Sequence, residues 1–227
     1  DGLMRYLRED LRVEAFEELD IPFRAVATDF YRGEPVVRES RLGMRFSRHP
    51  AFDAGLRIAR SERSSGNSTW QQPWGERRRV RDHFNELFVL LQADEPAHRL
   101  GLRVRVYDDG VGFRYEVPEQ PGYADVEIVD ELTEFHLAPE ATAWWIPGRG
   151  WNRYEFLYNE TPVTDIGLAH TPMALRLPDG IHLAIHEAAL VDYAAYVLDK
   201  RRGGILTGTV AAPVGIEKHL GQGVGSR

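Results

Sequence analysis

The start of the chain follows a helical pattern of hydrophobic positions. Leu3, Leu7 and Leu11 are spaced one turn apart with charged residues between them, which predicts one amphipathic helix or two short ones. Pro22 ends that pattern, and the β-branched and aromatic residues 23–30 predict a short strand. We therefore expect an α/β segment at the N-terminus.

From about Tyr31 the helical period gives way to short runs of alternating apolar and polar residues. Residues 102–106 alternate in this way, and residues 111–117 do so again after an Asp109-Gly110 pair that is typical of a tight turn. This stretch predicts a β-hairpin. The bulk of the chain is thus expected to be β.

Three further stretches refine this picture. Residues 83–92 carry apolar side chains on both faces towards their end, as does a strand between two layers. The apolar phase changes between residues 126–128 and 135–137, which predicts a bulge or bend near Glu131. The polar, turn-rich residues 61–79 predict a long loop. Together these patterns favour a large β-sandwich.

Glu187 interrupts a regular apolar row. It has the same parity as Leu183 and Ile185, so it either points inward or lies where the strand leaves the sheet. An unpaired carboxylate costs several kcal/mol to bury, so an inward Glu187 needs an arginine, a histidine or a cation beside it. Both an ion pair at a sheet edge and a calcium ligand satisfy this requirement.

The histidines of this stretch do not predict a zinc site. His186 and Glu187 open like the metalloprotease signature, but Leu190 occupies the position of its second histidine. His182 and His186 share a strand face, yet their backbones lie about 13 Å apart, too far to hold one ion. We interpret both as packed or solvent-facing histidines.

Composition narrows the classes of partner. The 227 residues, 43% of them hydrophobic, suffice for a sizeable core. A net charge of -7 argues against a general nucleic-acid binder, and no apolar run reaches the roughly 18 residues of a spanning helix. Without cysteine, a metal would need oxygen or imidazole ligands, which favours a hard cation such as calcium. No signal peptide is visible at the start of the chain.

Tryptophans form two clusters in the sequence. Trp70 and Trp74 fall in the polar stretch, whereas Trp144, Trp145 and Trp151 surround a Pro-Gly turn. Aromatic rings near Asn, Arg and Glu suit sugars, although most such tryptophans fill cores. The second cluster is our candidate for substrate contact.

Arginines crowd the segment that precedes residue 83, but acidic residues alternate with them. The stretch GERRRVRDHFNEL contains Glu76, Asp82 and Glu86 among its basic residues. This mixture favours a network of surface ion pairs over a nucleic-acid site.

Six stretches between about Tyr31 and Thr209 carry a family resemblance when they are taken in order. They are EPVVRESRLGMRF, WGERRRVRDHFNELFVLL, LRVRVYDDGVGFRYEVPEQ, ELTEFHLAPEATAWWIP, YEFLYNETPVTDI and HTPMALRLPDGIHLAIHEAALVDYAAYVL. Together they resemble the N-terminal domain of glycoside hydrolase family 97, a family of α-glucosidases and α-galactosidases.

The resemblance implies a mainly β fold, a β-super-sandwich of the galactose-mutarotase-like kind with a short N-terminal α/β appendage. It divides the chain into a segment 1–30 and a sandwich domain 31–227. In complete members this domain packs on a (β/α)8 barrel whose carboxylates hydrolyse α-glycosidic bonds. The residues after Val197 are too few for a barrel of roughly 250 residues. We therefore expect no catalytic residue and no activity in this chain alone.

The resemblance also implies a role for Glu187. A glutamate of the family's sandwich helps to hold calcium at the interface with the barrel, and Glu187 in IHEAAL occupies the matching position. Calcium takes six to eight oxygen ligands, so one ligand alone implies a weak or empty site. The expected cofactor is calcium, bound in the complete enzyme.

The first 30 residues depart from this family. DGLMRYLREDL and FEELDIPFRAVATDFYRGEPVV look like an internal stretch of a bacterial patatin-like phospholipase. The nucleophile elbow of that family is absent, and Leu3 follows Asp1-Gly2 where its second motif needs a small residue. No lipid hydrolysis is implied.

Two hypotheses of different classes follow. The first is a non-catalytic sandwich domain of an α-glycosidase, whose parent enzyme acts on α-linked oligosaccharides and is periplasmic or secreted by family resemblance. The second is a freestanding carbohydrate-binding module that uses Trp144, Trp145 and Trp151.

Overall fold

The structure, a computed structural model, describes residues 24–28, 35–93, 98–124, 126–148, 153–191 and 193–210. Sixteen strands lie in these residues, and most are short and antiparallel, as the alternating sequence predicts. They are β1 (Arg24–Thr28), β2 (Pro35–Arg41), β3 (Met44–Phe46), β4 (Leu56–Gln71), β5 (Arg79–Ala93), β6 (His98–Val106), β7 (Val111–Glu116), β8 (Ile128–Glu131), β9 (Glu134–His136), β10 (Thr142–Trp145), β11 (Asn159–Pro162), β12 (Ala169–His170), β13 (Met173–Arg176), β14 (His182–Ile185), β15 (Tyr196–Lys200) and β16 (Ile205–Val210). Two short 3₁₀ helices are Val163–Asp165 and Arg202–Gly204.

The described chain divides into two compact units. One consists of residues 55–124, and the other of residues 24–54 together with those from 126 onward. The fold is mainly β, and the expected β-sandwich class is confirmed. No helix within the described residues is long and apolar enough to cross a membrane.

The first unit is a four-stranded antiparallel meander in the order β4-β5-β6-β7. The predicted hairpin is confirmed as β6 and β7, with Tyr107 N donating to Gly110 O at 2.8 Å across the turn. One face of the sheet is apolar, because Val89 and Leu91 on β5 pair with Leu102 and Leu100 on β6, and all four are buried.

The opposite face of this sheet combines aromatic rings with charge. The Arg103 and Arg105 guanidiniums lie 4.8 and 4.0 Å from the ring centroids of Phe88 and Phe84, respectively. Arginine stems and guanidiniums therefore cover the second apolar row of β5, where the sequence predicted another layer. Glu86 accepts hydrogen bonds from both guanidiniums, so its ionic partners lie on β6, outside the arginine-rich stretch from which the network was predicted.

The expectation of a long loop over residues 61–79 is wrong. β4 extends to Gln71 and β5 starts at Arg79, so only residues 72–78 form the turn, which Gln72 N closes by donating to Arg78 O at 3.1 Å. β4 is the outer strand of its sheet and is exposed along most of its length. Its polar side chains follow from that exposure, whereas its strand conformation follows from pairing with β5, which hydrophobic alternation does not report.

The second unit is the sandwich proper. A six-stranded sheet in the order β1-β2-β9-β16-β15-β12 and a four-stranded sheet in the order β11-β10-β13-β14 share one core. Leu198 and Leu206 come from the first sheet, and Leu175 and Ile185 come from the second. Because both sheets contribute buried side chains to a single cluster, they pack face to face.

The bend predicted near Glu131 is present as a change of sheet. β8 ends at Glu131 in a two-stranded sheet with β3, and after two residues β9 enters the six-stranded sheet. The short connection Leu132-Thr133 is fixed by backbone hydrogen bonds, from Leu132 N to Gly43 O and from Gly208 N to Thr133 O, both at 2.9 Å.

The N-terminal strand is also confirmed. β1 pairs with β2 in antiparallel fashion and forms the outer strand of the six-stranded sheet. The predicted helix of residues 1–20 lies outside the described residues. The division of the chain at residue 30 stays a prediction.

Candidate functional site

Glu187 lies just beyond the end of an outer strand. β14 pairs with β13, buries Ile185, and ends there, so Glu187 comes two residues later at the same parity and is half-buried. Of the two positions that the sequence allowed, the structure shows the one in which the strand is leaving the sheet.

Thr171 binds the Glu187 carboxylate. Its hydroxyl donates to Oε2 at 3.1 Å. Thr171 follows the short strand β12, is buried, and precedes a cis peptide bond to Pro172 that leads into β13. The carboxylate is therefore held beside the connection between two strands from different sheets of the sandwich.

Glu131 is a second carboxyl group of this region, and sequence reasoning did not single it out as a site residue. It is only 8% exposed, and its two oxygens accept hydrogen bonds at 2.7 Å from the Thr133 hydroxyl and the Tyr193 phenol. Burial raises the pKa of Glu131; the two hydrogen bonds oppose that rise, and the charge of nearby Glu187 adds to it.

The donor atoms of this region suit a hard cation, but they are few. Glu187 and Thr171 offer only oxygen, which is the ligand type that calcium prefers. Within the described ranges, no three His, Asp or Glu side chains are grouped closely enough to hold a metal ion. The described residues thus contain no complete metal site, and calcium binding by Glu187 stays a prediction.

The tryptophans predicted to contact sugar do not form one platform. Trp144 and Trp145 are neighbours on β10, so their rings lie on opposite faces of the sheet. Trp145 packs against the core and donates from Nε1 to Thr161 Oγ1 at 3.0 Å, whereas Trp144 lies beneath the Arg176 guanidinium at 5.5 Å. Trp151 lies outside the described residues, and sugar contact stays a prediction.

Histidines occupy two kinds of position. His182 and His186 are exposed, in agreement with the solvent-facing interpretation. His170 on β12 is fully buried, with its ring 4.2 Å from that of Tyr154. Burial lowers the pKa of His170.

Exposed apolar side chains concentrate in two segments of the second unit. Residues 153–158 contain four of them, and Leu157 is 92% exposed. The other segment follows Glu187, where Leu190 is half exposed and Val191 is 75% exposed. Such concentrations are typical of surfaces that another protein domain covers.

Comparison with known families identifies the fold and its relatives. The sequence model described as glycosyl-hydrolase 97 N-terminal matches residues 24–218. The chain belongs to the N-terminal domain family of glycoside hydrolase family 97. The matched region contains every described strand, including β1. The patatin-like resemblance of the first 30 residues stays a prediction.

Two solved structures share the fold. A glycoside hydrolase family 97 enzyme from Pseudoalteromonas sp. strain K8, in complex with acarbose, is 47% identical with a TM-score of 0.76, over 79% of this chain and 28% of that chain. A β-arabinopyranosidase is 26% identical with a TM-score of 0.73, over 79% of this chain and 31% of that chain.

A curated relative is a probable retaining α-galactosidase of Streptomyces bingchenggensis (strain BCW-1). It is 32% identical over 146 residues, which cover 64% of this chain and 22% of the relative. The family 97 domain described here thus spans less than a third of the length of each of these proteins.

In this family 97 domain, two segments far apart in sequence meet at the candidate site. Glu187 was found from its parity within an apolar row. Glu131 lies in the acidic run VDELTE, which on sequence grounds resembles a solvated turn. The bend predicted near Glu131 was the one sequence feature that pointed to this residue. A chain that passes from one sheet to another at such a bend can bury a side chain there.

Proposed function

We propose that this chain is the non-catalytic N-terminal sandwich of an α-glycosidase and that it contributes Glu187 to a calcium site completed by a (β/α)8 catalytic domain. The parent enzyme acts on α-linked oligosaccharides of the glucoside or galactoside type. The observation that carries the proposal is the position of Glu187, half-buried at the end of an outer strand and next to exposed Leu190 and Val191.

The location of Glu187 supports a shared cation. A carboxylate in the middle of a sheet would be enclosed by its own domain, whereas one at a strand end can face a second domain. Calcium needs six to eight oxygen ligands, and the described residues contain no complete metal site. Glu187 would therefore be one ligand among several, and the catalytic domain would provide others. The ion would neutralise carboxylates gathered at the boundary and would polarise an oxygen of the substrate.

The two exposed apolar segments support docking of a catalytic domain. Tyr154 stacks on buried His170 and so anchors residues 153–158 to the sandwich, while Leu157 points away from it. Burying such side chains against a partner stabilises the complex by roughly 25 cal/mol for each Å² of apolar surface. We assign the barrel as that partner.

Activity measurements test the proposal. The purified chain, incubated with aryl α-glucosides and α-galactosides in millimolar calcium, is expected to release no aryl alcohol. Measurable turnover that survives repurification would contradict the non-catalytic role.

Metal binding gives a separate test. Terbium, a luminescent substitute for calcium, is expected to bind the chain weakly, and Glu187→Gln is expected to weaken that binding at least about fivefold because a charged ligand is lost. The matched control is Glu140→Gln, which removes the same charge from an exposed turn. Equal affinities for the two variants would exclude Glu187 as a ligand.

A titration with maltooligosaccharides separates this proposal from a freestanding sugar-binding module. Trp144 and Trp145 face opposite sides of β10, so one sugar ring cannot stack on both. Tryptophan fluorescence is therefore expected to stay unchanged up to millimolar sugar. A saturable change that Trp144→Ala abolishes would favour the binding module instead.

A further inference from the structure

The segment between β14 and β15 crosses the sandwich. β14 belongs to the four-stranded sheet and β15 to the six-stranded sheet, so the connecting residues pass from one layer to the other. Glu187 lies near the start of this crossing and Tyr193 near its end. Between them, Leu190 and Val191 are exposed, and the described residues of the segment belong to no strand or helix.

Side chains provide two anchors for this crossing. At its start, Thr171 donates to Glu187; at its end, the Tyr193 hydroxyl donates to Glu131 Oε2 at 2.7 Å. The Tyr193 bond spans 62 positions in sequence and reaches a buried acceptor. It therefore ties the crossing to a fixed part of the core.

Glu131, the acceptor of this bond, is fixed through both its backbone and its side chain. Glu131 is the last residue of β8, where it pairs with Met44, and the next amide, that of Leu132, donates to Gly43 O. Its Oε1 accepts from Thr133, whose carbonyl accepts from Gly208 N on β16. One oxygen is thus fixed by the strand connection, which leaves the other aimed at Tyr193.

We propose that Glu131 and Tyr193 form a latch that sets the position of the Glu187 carboxylate, which makes Glu131 a positioning residue rather than a metal ligand. Both Glu131 oxygens are used by hydroxyl donors and are turned into the interior, so they do not face a second domain. A latched crossing holds its carboxylate in place before the cation arrives, which lowers the ordering entropy lost on binding. This use of the latch rests on the proposed function.

Hydrogen exchange of the complete chain tests the latch without any metal. Tyr193→Phe removes one hydroxyl and keeps the ring, so the amide of Val191, which donates to Ala189 O at 3.1 Å, is expected to exchange at least about fivefold faster, while those of β13 and β16 keep their wild-type rates. Tyr158→Phe is the matched control, because Tyr158 is 65% exposed. Wild-type exchange at Val191 in Tyr193→Phe would overturn the proposal.

A second pair of variants keeps the test independent of folding defects. Glu131→Gln retains an oxygen that accepts from Tyr193 and is expected to keep most of the protection, whereas Glu131→Leu is expected to lose it. Should Glu131→Leu fail to fold, Tyr193→Phe and Glu131→Gln still decide the matter. Faster exchange in Glu131→Gln with normal exchange in Tyr193→Phe would overturn the latch.

Terbium binding then shows whether the latch positions the ligand. Tyr193→Phe is expected to weaken terbium binding about threefold or more in the wild-type background and not at all in the Glu187→Gln background. Weakening of equal size in both backgrounds would overturn the positioning role. If Glu187→Gln alone binds terbium like wild type, the proposed calcium role is wrong. The hydrogen-exchange rates then test the Glu131–Tyr193 latch without reference to metal.

Discussion

Two glutamates, one on a sheet face of the first unit and one in the interior of the sandwich, have pKa values shifted in opposite directions. Glu86 is bound by Arg103 and Arg105, whereas Glu131 is only 8% exposed and is bound by the hydroxyls of Thr133 and Tyr193. Burial acts to raise the pKa of both. For Glu86 the hydrogen bonds from the two arginines outweigh burial and lower the pKa; for Glu131 burial prevails and the pKa is raised.

The difference follows from both surroundings: two cations pair with Glu86, whereas Glu131 lies deep in the sandwich and receives only neutral hydroxyl donors. The arginines of the first unit satisfy Glu86 and rest on phenylalanine rings, so that face is a closed structural network. The hydroxyls at Glu131 supply no positive charge. A region with carboxyl groups and neutral donors is where an external cation would gain most.

Removal of the Glu131 carboxyl group is expected to have the largest effect. Glu131→Leu leaves two hydroxyls without their acceptor, and Thr133 is almost fully buried, so the free energy of unfolding should fall by about 3 kcal/mol. Urea unfolding followed by fluorescence measures it. Glu131→Gln, which retains an acceptor, should lose clearly less; an equal loss would show that the hydrogen bonds are not the cause.

The second largest effect is expected from a steric clash with the Phe84 ring, on which the Arg105 partner of Glu86 rests. A Cβ on Gly66 would lie 2.5 Å from Phe84 Cζ, and moving that ring disturbs Arg105 above it, so Gly66→Ala should cost about 2 kcal/mol of unfolding free energy. Gly112→Ala is the control on the same sheet, since nothing lies within 4 Å of its added Cβ. Equal unfolding midpoints for the two variants would show that displacement of the Phe84 ring does not destabilise the protein.

The contributions of Glu131 and Glu86 to stability should change with pH in opposite directions. Because the pKa of Glu131 is raised in the folded protein, its contribution to the free energy of unfolding is complete below the ordinary glutamate pKa of 4.5. That contribution diminishes as pH rises through the pKa of the folded state. The lowered pKa of Glu86 makes its contribution complete above 4.5 and lost as pH falls through the folded value.

Two glutamine variants measure these slopes. The stability difference between wild type and Glu131→Gln should shrink with rising pH, and that for Glu86→Gln should grow with rising pH below 4.5, by about 1.4 kcal/mol for each unit of pKa displacement. Parallel pH profiles would refute the contrast.

Salt should produce the smallest effect. Arg103 and Arg105 are partly exposed, so 1 M sodium chloride should reduce the stability difference between wild type and Glu86→Gln by about 0.5 kcal/mol. The corresponding difference for Glu131→Gln should stay constant, because its partners are uncharged. Urea titrations at both salt concentrations compare them, and equal salt dependence would argue against the assigned partners.

Sequence patterns predicted those parts of the fold that depend on neighbours along the chain. Alternation at Val104 and Val106 predicted their hairpin, whereas the parity of Glu187 left open whether it points inward or lies where the strand ends. β4 was missed because an outer strand exposed on both faces has no apolar row, so its conformation depends on β5. Glu131 was missed as a site residue because its partner Tyr193 is 62 positions away and only the completed sandwich brings them together.

The polar composition of β4 has a consequence for the whole molecule. Within the part of the chain that the structure describes, β4 is an outer strand of sixteen residues, and the outer edge of such a strand can offer backbone donors and acceptors to another chain. Charged Arg57, Arg60 and Glu62 on that edge make stacking against another copy unfavourable. The charged residues that leave β4 without an apolar row are also of the kind that disfavours edge-to-edge association.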